Sequence, residues 1–140
     1  MSRKILIVED NELNMKLFND LLVAHGYSTV KTRDGSQVLE IMREERPDLV
    51  LMDVQMPVMD GIEATRQVRH HLHLSKTDLP VVGLTASFQT TDLQMYLDVG
   101  MNTCLSKPIR LESLKRTLQC FSQPNAEDEL NLGLGLDRPC

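Results

Sequence analysis

Four apolar residues in a row, Leu49-Val50-Leu51-Met52, with Asp53 directly after them, limit the fold more than any other stretch of the chain. A short apolar run, followed by Pro57 and Gly61 as turn signals, is the pattern of a strand buried on both faces. Strands of that kind belong to parallel sheets covered by helices on both sides. Asp53 is thereby delivered to the strand's C-terminal end, the edge at which open α/β sheets place ligands and chemistry.

The rest of the chain alternates in the same way. Ile5 to Val8 is a second buried strand, ending in Glu9-Asp10, and Asn11 is a good N-cap for a helix over about residues 12–25. Phe18, Leu21 and Leu22 give that helix its spacing, and Gly26 its stop. Tyr27 to Thr32 is more polar and β-branched, as suits an edge strand. Val38, Ile41 and Met42 predict a helix that ends before Pro47, and the central strand covers 48–53. A third helix is expected from about Ile62 to His73, and a fourth strand over Leu79–Leu84 with Pro80 near its start, ending at Thr85. Leu93, Tyr96 and Leu97 mark a fourth helix stopped by Gly100. Asn102 to Leu105 forms a fifth strand ending at Ser106-Lys107-Pro108, and Leu111, Leu114, Leu118 and Phe121 mark a last helix. Five strand–helix alternations with short connections predict a doubly wound parallel sheet, a three-layer α/β/α sandwich.

At 140 residues the chain holds one domain, expected over 1–121, and a tail over 122–140. No apolar run is long enough to cross a bilayer, and Ile5–Val8 is too short for a signal peptide, so a cytoplasmic protein without membrane partners is expected. The net charge of −5 argues against a nucleic-acid partner. Cys104, Cys120 and Cys140 have no metal-binding spacing and read as reduced thiols. His70, His71 and His73 read as solvated groups at a helix end.

The strand ends carry the chemistry: Glu9-Asp10 on the first, Asp53 on the third, Thr85 on the fourth and Lys107 on the fifth. Carboxylates gathered at one edge repel one another and recruit a hard cation, and Mg²⁺ is typically held by one or two carboxylates with phosphate oxygens and water. A carboxylate nucleophile, a cation, a lysine ammonium and a hydroxyl are together the parts of phosphoryl transfer. In that scheme Asp53 becomes an aspartyl phosphate and Asp10 and Asp53 ligate Mg²⁺, with Glu9 acting through it. Lys107 and Thr85 take the phosphoryl oxygens.

Ile7-Val8-Glu9-Asp10-Asn11, Leu51-Met52-Asp53-Val54-Gln55-Met56-Pro57, Met59-Asp60-Gly61, Leu84-Thr85-Ala86 and Ser106-Lys107-Pro108 together resemble the receiver domain of two-component response regulators, over about residues 3–121. The resemblance implies the flavodoxin-like (CheY-like) strand order 2-1-3-4-5 and phosphorylation of Asp53 by a histidine kinase or phosphotransfer protein. It also implies a Mg²⁺ ligand from the Gln55 backbone carbonyl, with Mn²⁺ or Ca²⁺ as substitutes and Glu9 binding through water. Ala86 joins Thr85 and Lys107 at the phosphoryl group, and the Lys107–Pro108 bond is cis. Gln55 and Ser87, two positions after Asp53 and Thr85, tune the lifetime of the phosphoryl group. Output is expected as protein binding through about residues 89–121. Cys104 departs from the family, which usually has Tyr or Phe three residues before the lysine.

A haloacid-dehalogenase-type phosphatase would need a second Asp where Gln55 stands, and a flavin module would need a phosphate loop where Glu9-Asp10 stands. A receiver detached from a hybrid kinase differs only in context. In the tail, Leu130, Leu132, Leu134 and Leu136 alternate with polar residues and glycines beside Glu127, Asp128, Glu129 and Asp137. The expectation is a flexible tail, with docking on a sheet edge or a partner as the alternative.

Overall fold

The computed structural model describes residues 3–54, 60–86, 90–107 and 109–122. Five strands and five α-helices alternate: β1 Lys4–Val8, α1 Glu12–Ala24, β2 Ser28–Thr32, α2 Val38–Glu45, β3 Leu49–Asp53, α3 Gly61–His71, β4 Val81–Thr85, α4 Thr90–Val99, β5 Thr103–Ser106 and α5 Leu111–Ser122. A 3₁₀ turn, Gly35–Gln37, leads into α2. The strands form one parallel sheet in the order β2-β1-β3-β4-β5.

Burial follows from alternation across that sheet. Leu6, Val8, Val50, Met52 and Val81 point to one face, where α2, α3 and α4 cover them with Val38, Met42, Ala64, Val68 and Tyr96. Ile5, Ile7, Leu49, Leu51, Val82 and Leu84 point to the other, under Met15, Phe18 and Leu22 of α1 and Leu114 and Leu118 of α5. Both faces being covered, β3 and β4 are buried at all five positions, as a continuous apolar run requires. β2, at the edge, is only partly buried.

Local signals set the ends. The Asn11 side chain accepts a hydrogen bond from the Asn14 amide at 3.0 Å and starts α1, while Gly26, at φ +90°, takes the left-handed turn after it. Pro80 lies just outside β4 rather than within it: without an N–H it has nothing to donate, and its carbonyl accepts from the Val50 amide at 3.0 Å. α3 begins at Gly61 and stops at His71, so His73 lies beyond it. Ser106 belongs to β5 and Asn102 does not. The Asn102 side chain instead holds the Val81 amide at 3.0 Å and the Lys76 carbonyl at 3.0 Å.

The expectation of reduced thiols holds for Cys104, which is free and buried, and fails for Cys120, which is disulfide-bonded. Chain spacing carries no information on which thiols the fold brings within bonding distance.

Candidate functional site

The parallel register puts the ends of four strands at one edge. Val8 pairs with Met52, Asp53 with Leu84, and Thr85 with Ser106, so the residues at and after those positions converge. Glu9 and Asp53 are almost completely buried there, at 0% and 3% exposure, with Thr85 at 1% and Asp10 partly exposed. Ligand oxygens of Glu9, Asp10 and Asp53 lie within 4.8 Å of one another.

Lys107 reaches into this cluster from the end of β5. Its Nζ is 3.1 Å from Glu9 Oε1 and 3.2 Å from Asp53 Oδ2. The backbone aims it, since the Lys107 amide donates to the Thr85 carbonyl at 2.7 Å. Burial alone would lower the pKa of Lys107, but its contacts with Glu9 and Asp53 outweigh burial and raise it, so it stays charged. Glu9 moves the other way from an ordinary carboxylate: burial first, then a hydrogen bond with Asp53, push it up to about 7. Its Oε2 accepts from the Asn11 amide at 3.2 Å. Its Oε1, although in ion-pair range of Lys107, makes no hydrogen bond of good direction among the described residues. A buried carboxylate oxygen of that kind, beside two more acids, is a donor set suited to a hard divalent cation.

Gly61 closes the site from behind. A side chain there would run into the Asp53 carbonyl and approach Met52 Cγ at 2.7 Å, so α3 can begin against the end of β3 only with glycine in this place. The Asp60 side chain caps this helix by accepting from the Glu63 amide at 3.0 Å. The sequence marked Gly61 as a turn residue; its packing role has no local signal. Arg33 is another residue that sequence reasoning passed over. It donates to the Asp10 carbonyl at 3.2 Å and pairs with Glu12 at 2.9 Å, across more than 20 residues of chain.

Of the other expected residues, Ala86 is exposed beside Thr85. Cys104 is buried on β5, with its Sγ 4.0 Å from Met101 Sδ, and no side chain could be added at Gly83 beside it without touching both sulfurs. Burial pushes its thiol up to about 12, so it is an inert packing group. Gln55, Ser87, Pro108 with its peptide bond, and the tail lie outside the described residues. Among the described residues the histidines join no cluster with metal-ligand geometry.

A doubly wound sheet in this order, with buried acids and a lysine at the C-terminal strand edge, defines the receiver class. The chain belongs to the response regulator receiver domain family, whose model matches residues 5–119. It is 40% identical over 121 residues to the polar-differentiation response regulator DivK of Brucella anthropi, covering 86% of this chain and 97% of DivK. It superposes with a TM-score of 0.75 and 34% identity on the receiver domain of the sensor histidine kinase PA1611 from Pseudomonas aeruginosa, solved with magnesium in the active-site cleft, over 86% of this chain and 98% of that one. The receiver domain of Ssk1 from Saccharomyces cerevisiae, solved with the histidine phosphotransfer protein Ypd1, gives a TM-score of 0.78 at 30% identity, over 86% and 88% of the two chains. This chain is a phosphorylation-regulated response regulator of the DivK and CheY kind.

Proposed function

We infer that Asp53 is the phosphoacceptor and that a histidine kinase or histidine phosphotransfer protein supplies the phosphoryl group. The observation that carries this is Lys107 Nζ lying between Glu9 and Asp53 at 3.1 and 3.2 Å, beside the triad of acids. An Asp53 carboxylate oxygen attacks phosphorus and forms a P–O bond, while the donor's P–N bond breaks and its electron pair returns to the imidazole. Lys107 meets the negative charge of the transferred group, and in this reading Thr85, buried at the end of the next strand, donates a hydrogen bond to it. Asp10 and Asp53 would hold Mg²⁺, with Glu9 behind them. Bound there, the ion offsets the repulsion between carboxylates and phosphoryl oxygens.

Docking of the donor is supported by α1. Leu13 is 79% exposed and Leu17 48%, one turn apart on the helix that begins beside Asp10. Exposed leucines this close to the acceptor suit an apolar protein surface. The chain turns over no external substrate in this reading, acts in the cytoplasm, and signals through a protein partner on α4, β5 and α5. With Cys104 buried in the ring position, Thr85 and its loop carry the signal to that face without an aromatic relay.

The test is incubation with Mg²⁺ and a small phosphodonor, followed by intact-mass measurement. Wild type should gain one phosphoryl group, and Asp53→Ala none. Lack of the adduct in wild type, or an equal adduct in the variant, would overturn the assignment.

A further inference from the structure

At the edge of the sheet opposite the acids, α2 and α3 leave a cavity of about 420 Å³ between their C-terminal ends. That is the size of a ligand or peptide-anchor pocket. Met42, Pro47, Leu72 and Leu79 give it an apolar floor. Arg43 and Arg46 line it as exposed residues, and neither guanidinium has an ion pair or hydrogen bond with another described residue. Asp78, the acid on the lining, is already engaged by the Ser75 amide at 3.0 Å. The cavity therefore presents apolar surface with unpaired positive charge beside it.

One segment of this chain has the complementary pattern. Glu127-Asp128-Glu129 precedes Leu130, Leu132, Leu134 and Leu136, and in extended backbone alternate residues share one side. The geometry allows it to arrive. Pro47 and Leu79 precede β3 and β4, so the cavity lies at the N-terminal strand edge. α5 runs back to that same edge and ends there with Phe121 packed on the cluster that contains Ile5 and Leu49. Leu130 is eight residues beyond Ser122, a reach of at most roughly 26–29 Å when extended. α5 and the cavity lie on opposite faces of the sheet, so the tail must cross the sheet edge and a helix layer, a path of roughly 20 Å that this reach still exceeds.

We propose that, when the Cys120 disulfide is reduced, residues 127–137 of this same chain dock in the α2–α3 cavity, with leucines on its apolar floor and Glu127–Glu129 against Arg43 and Arg46. Tethering supplies a high effective concentration, so a contact too weak to hold a free peptide can still close within the chain. The proposal is independent of phosphorylation at Asp53.

Amide hydrogen exchange on the full chain, in reducing buffer and at low protein concentration, tests it. Four forms are compared: wild type, L130S/L132S/L134S/L136S, R43E/R46E, and R43E/R46E combined with E127R/D128R/E129R. Segments 42–47 and 72–79 should exchange more slowly in wild type than in the serine variant by about tenfold, the factor that 1.4 kcal/mol gives. R43E/R46E should lose that protection, and the combined charge swap should regain it. Unchanged Mg²⁺-dependent phosphorylation of R43E/R46E shows that the domain is intact. Equal exchange in wild type and the serine variant overturns the proposal, because the serine changes lie outside the domain core. Protection that rises with protein concentration overturns it too, assigning the cavity to the tail of a second copy, and so does protection that survives R43E/R46E.

Discussion

With its side chain fully buried and its carboxyl against Asp53, Glu9 keeps a proton up to about pH 7, where an ordinary glutamic acid loses it near 4.5. Between those two values the folded chain binds a proton that the unfolded chain has released. Stability must therefore fall as pH rises through this window and level off above it. Urea titrations of the metal-free protein at several pH values between 5 and 8 should show this decline, and Glu9→Gln should flatten it. Arg69 is the second residue whose role comes only from the fold. Its guanidinium donates to the carbonyls of Gly100 at 2.6 Å, Leu79 at 2.8 Å, and Leu74 and Ser75 at 3.0 Å, tying α3 to the loop before β4 and to the end of α4. Burial lowers its pKa to about 10, which leaves it charged at neutral pH. Arg69→Ala strands several carbonyls and should cost about 3 kcal/mol or more in chemical denaturation. Arg69→Lys should recover little, since one ammonium cannot reproduce the planar fork. Nothing in the sequence marks this arginine, whose acceptors lie 5 to 33 residues away.

At the level of elements, helix and strand positions were legible because each carries a local reason. Asn11 supplies a cap, β3 a continuous apolar run, and Gly26 a left-handed stop. Ends set by long-range hydrogen bonds were read less well, as at Pro80 and Asn102. The start of α3 shows the difference most clearly, because Gly61 is fixed by the Asp53 carbonyl and Met52 rather than by a turn. Gly61→Ala should push the end of β3 outward, lowering both the melting temperature and the rate of phosphorylation by a small phosphodonor; an unchanged rate would show that the contact does not position Asp53. α1 makes a separate claim. Leu13→Asp with Leu17→Asp should slow transfer from a protein donor by tenfold or more and leave the small-molecule reaction intact, since both residues are exposed. Parallel time courses with the two donors would separate docking from chemistry.

For the whole molecule, carboxylates held together in the folded state and dispersed in the unfolded one would make a divalent cation, bound as proposed, a ligand of the native fold. Mg²⁺ at 100 times its Kd should then add about 2.7 kcal/mol to stability. A rise in melting temperature with Mg²⁺, reversed by chelation and lost in Asp10→Asn, is the expected result. The sequence by itself determined the α/β class, the alternation of elements and the list of strand-end residues, because period, capping and turn chemistry act over a few residues. It also carried Asp53, Glu9, Asp10, Thr85 and Lys107 as a set, since five motifs in order are visible along the chain. Tertiary structure decided how those residues meet: the strand register that brings Lys107 to Glu9 and Asp53, and the burial that keeps a proton on Glu9. It also decided the clasp of Arg69, the contact at Gly61 and the cavity beside Arg43 and Arg46. Each of these depends on distances between residues far apart in the chain, and on water being excluded between them, which no local pattern encodes.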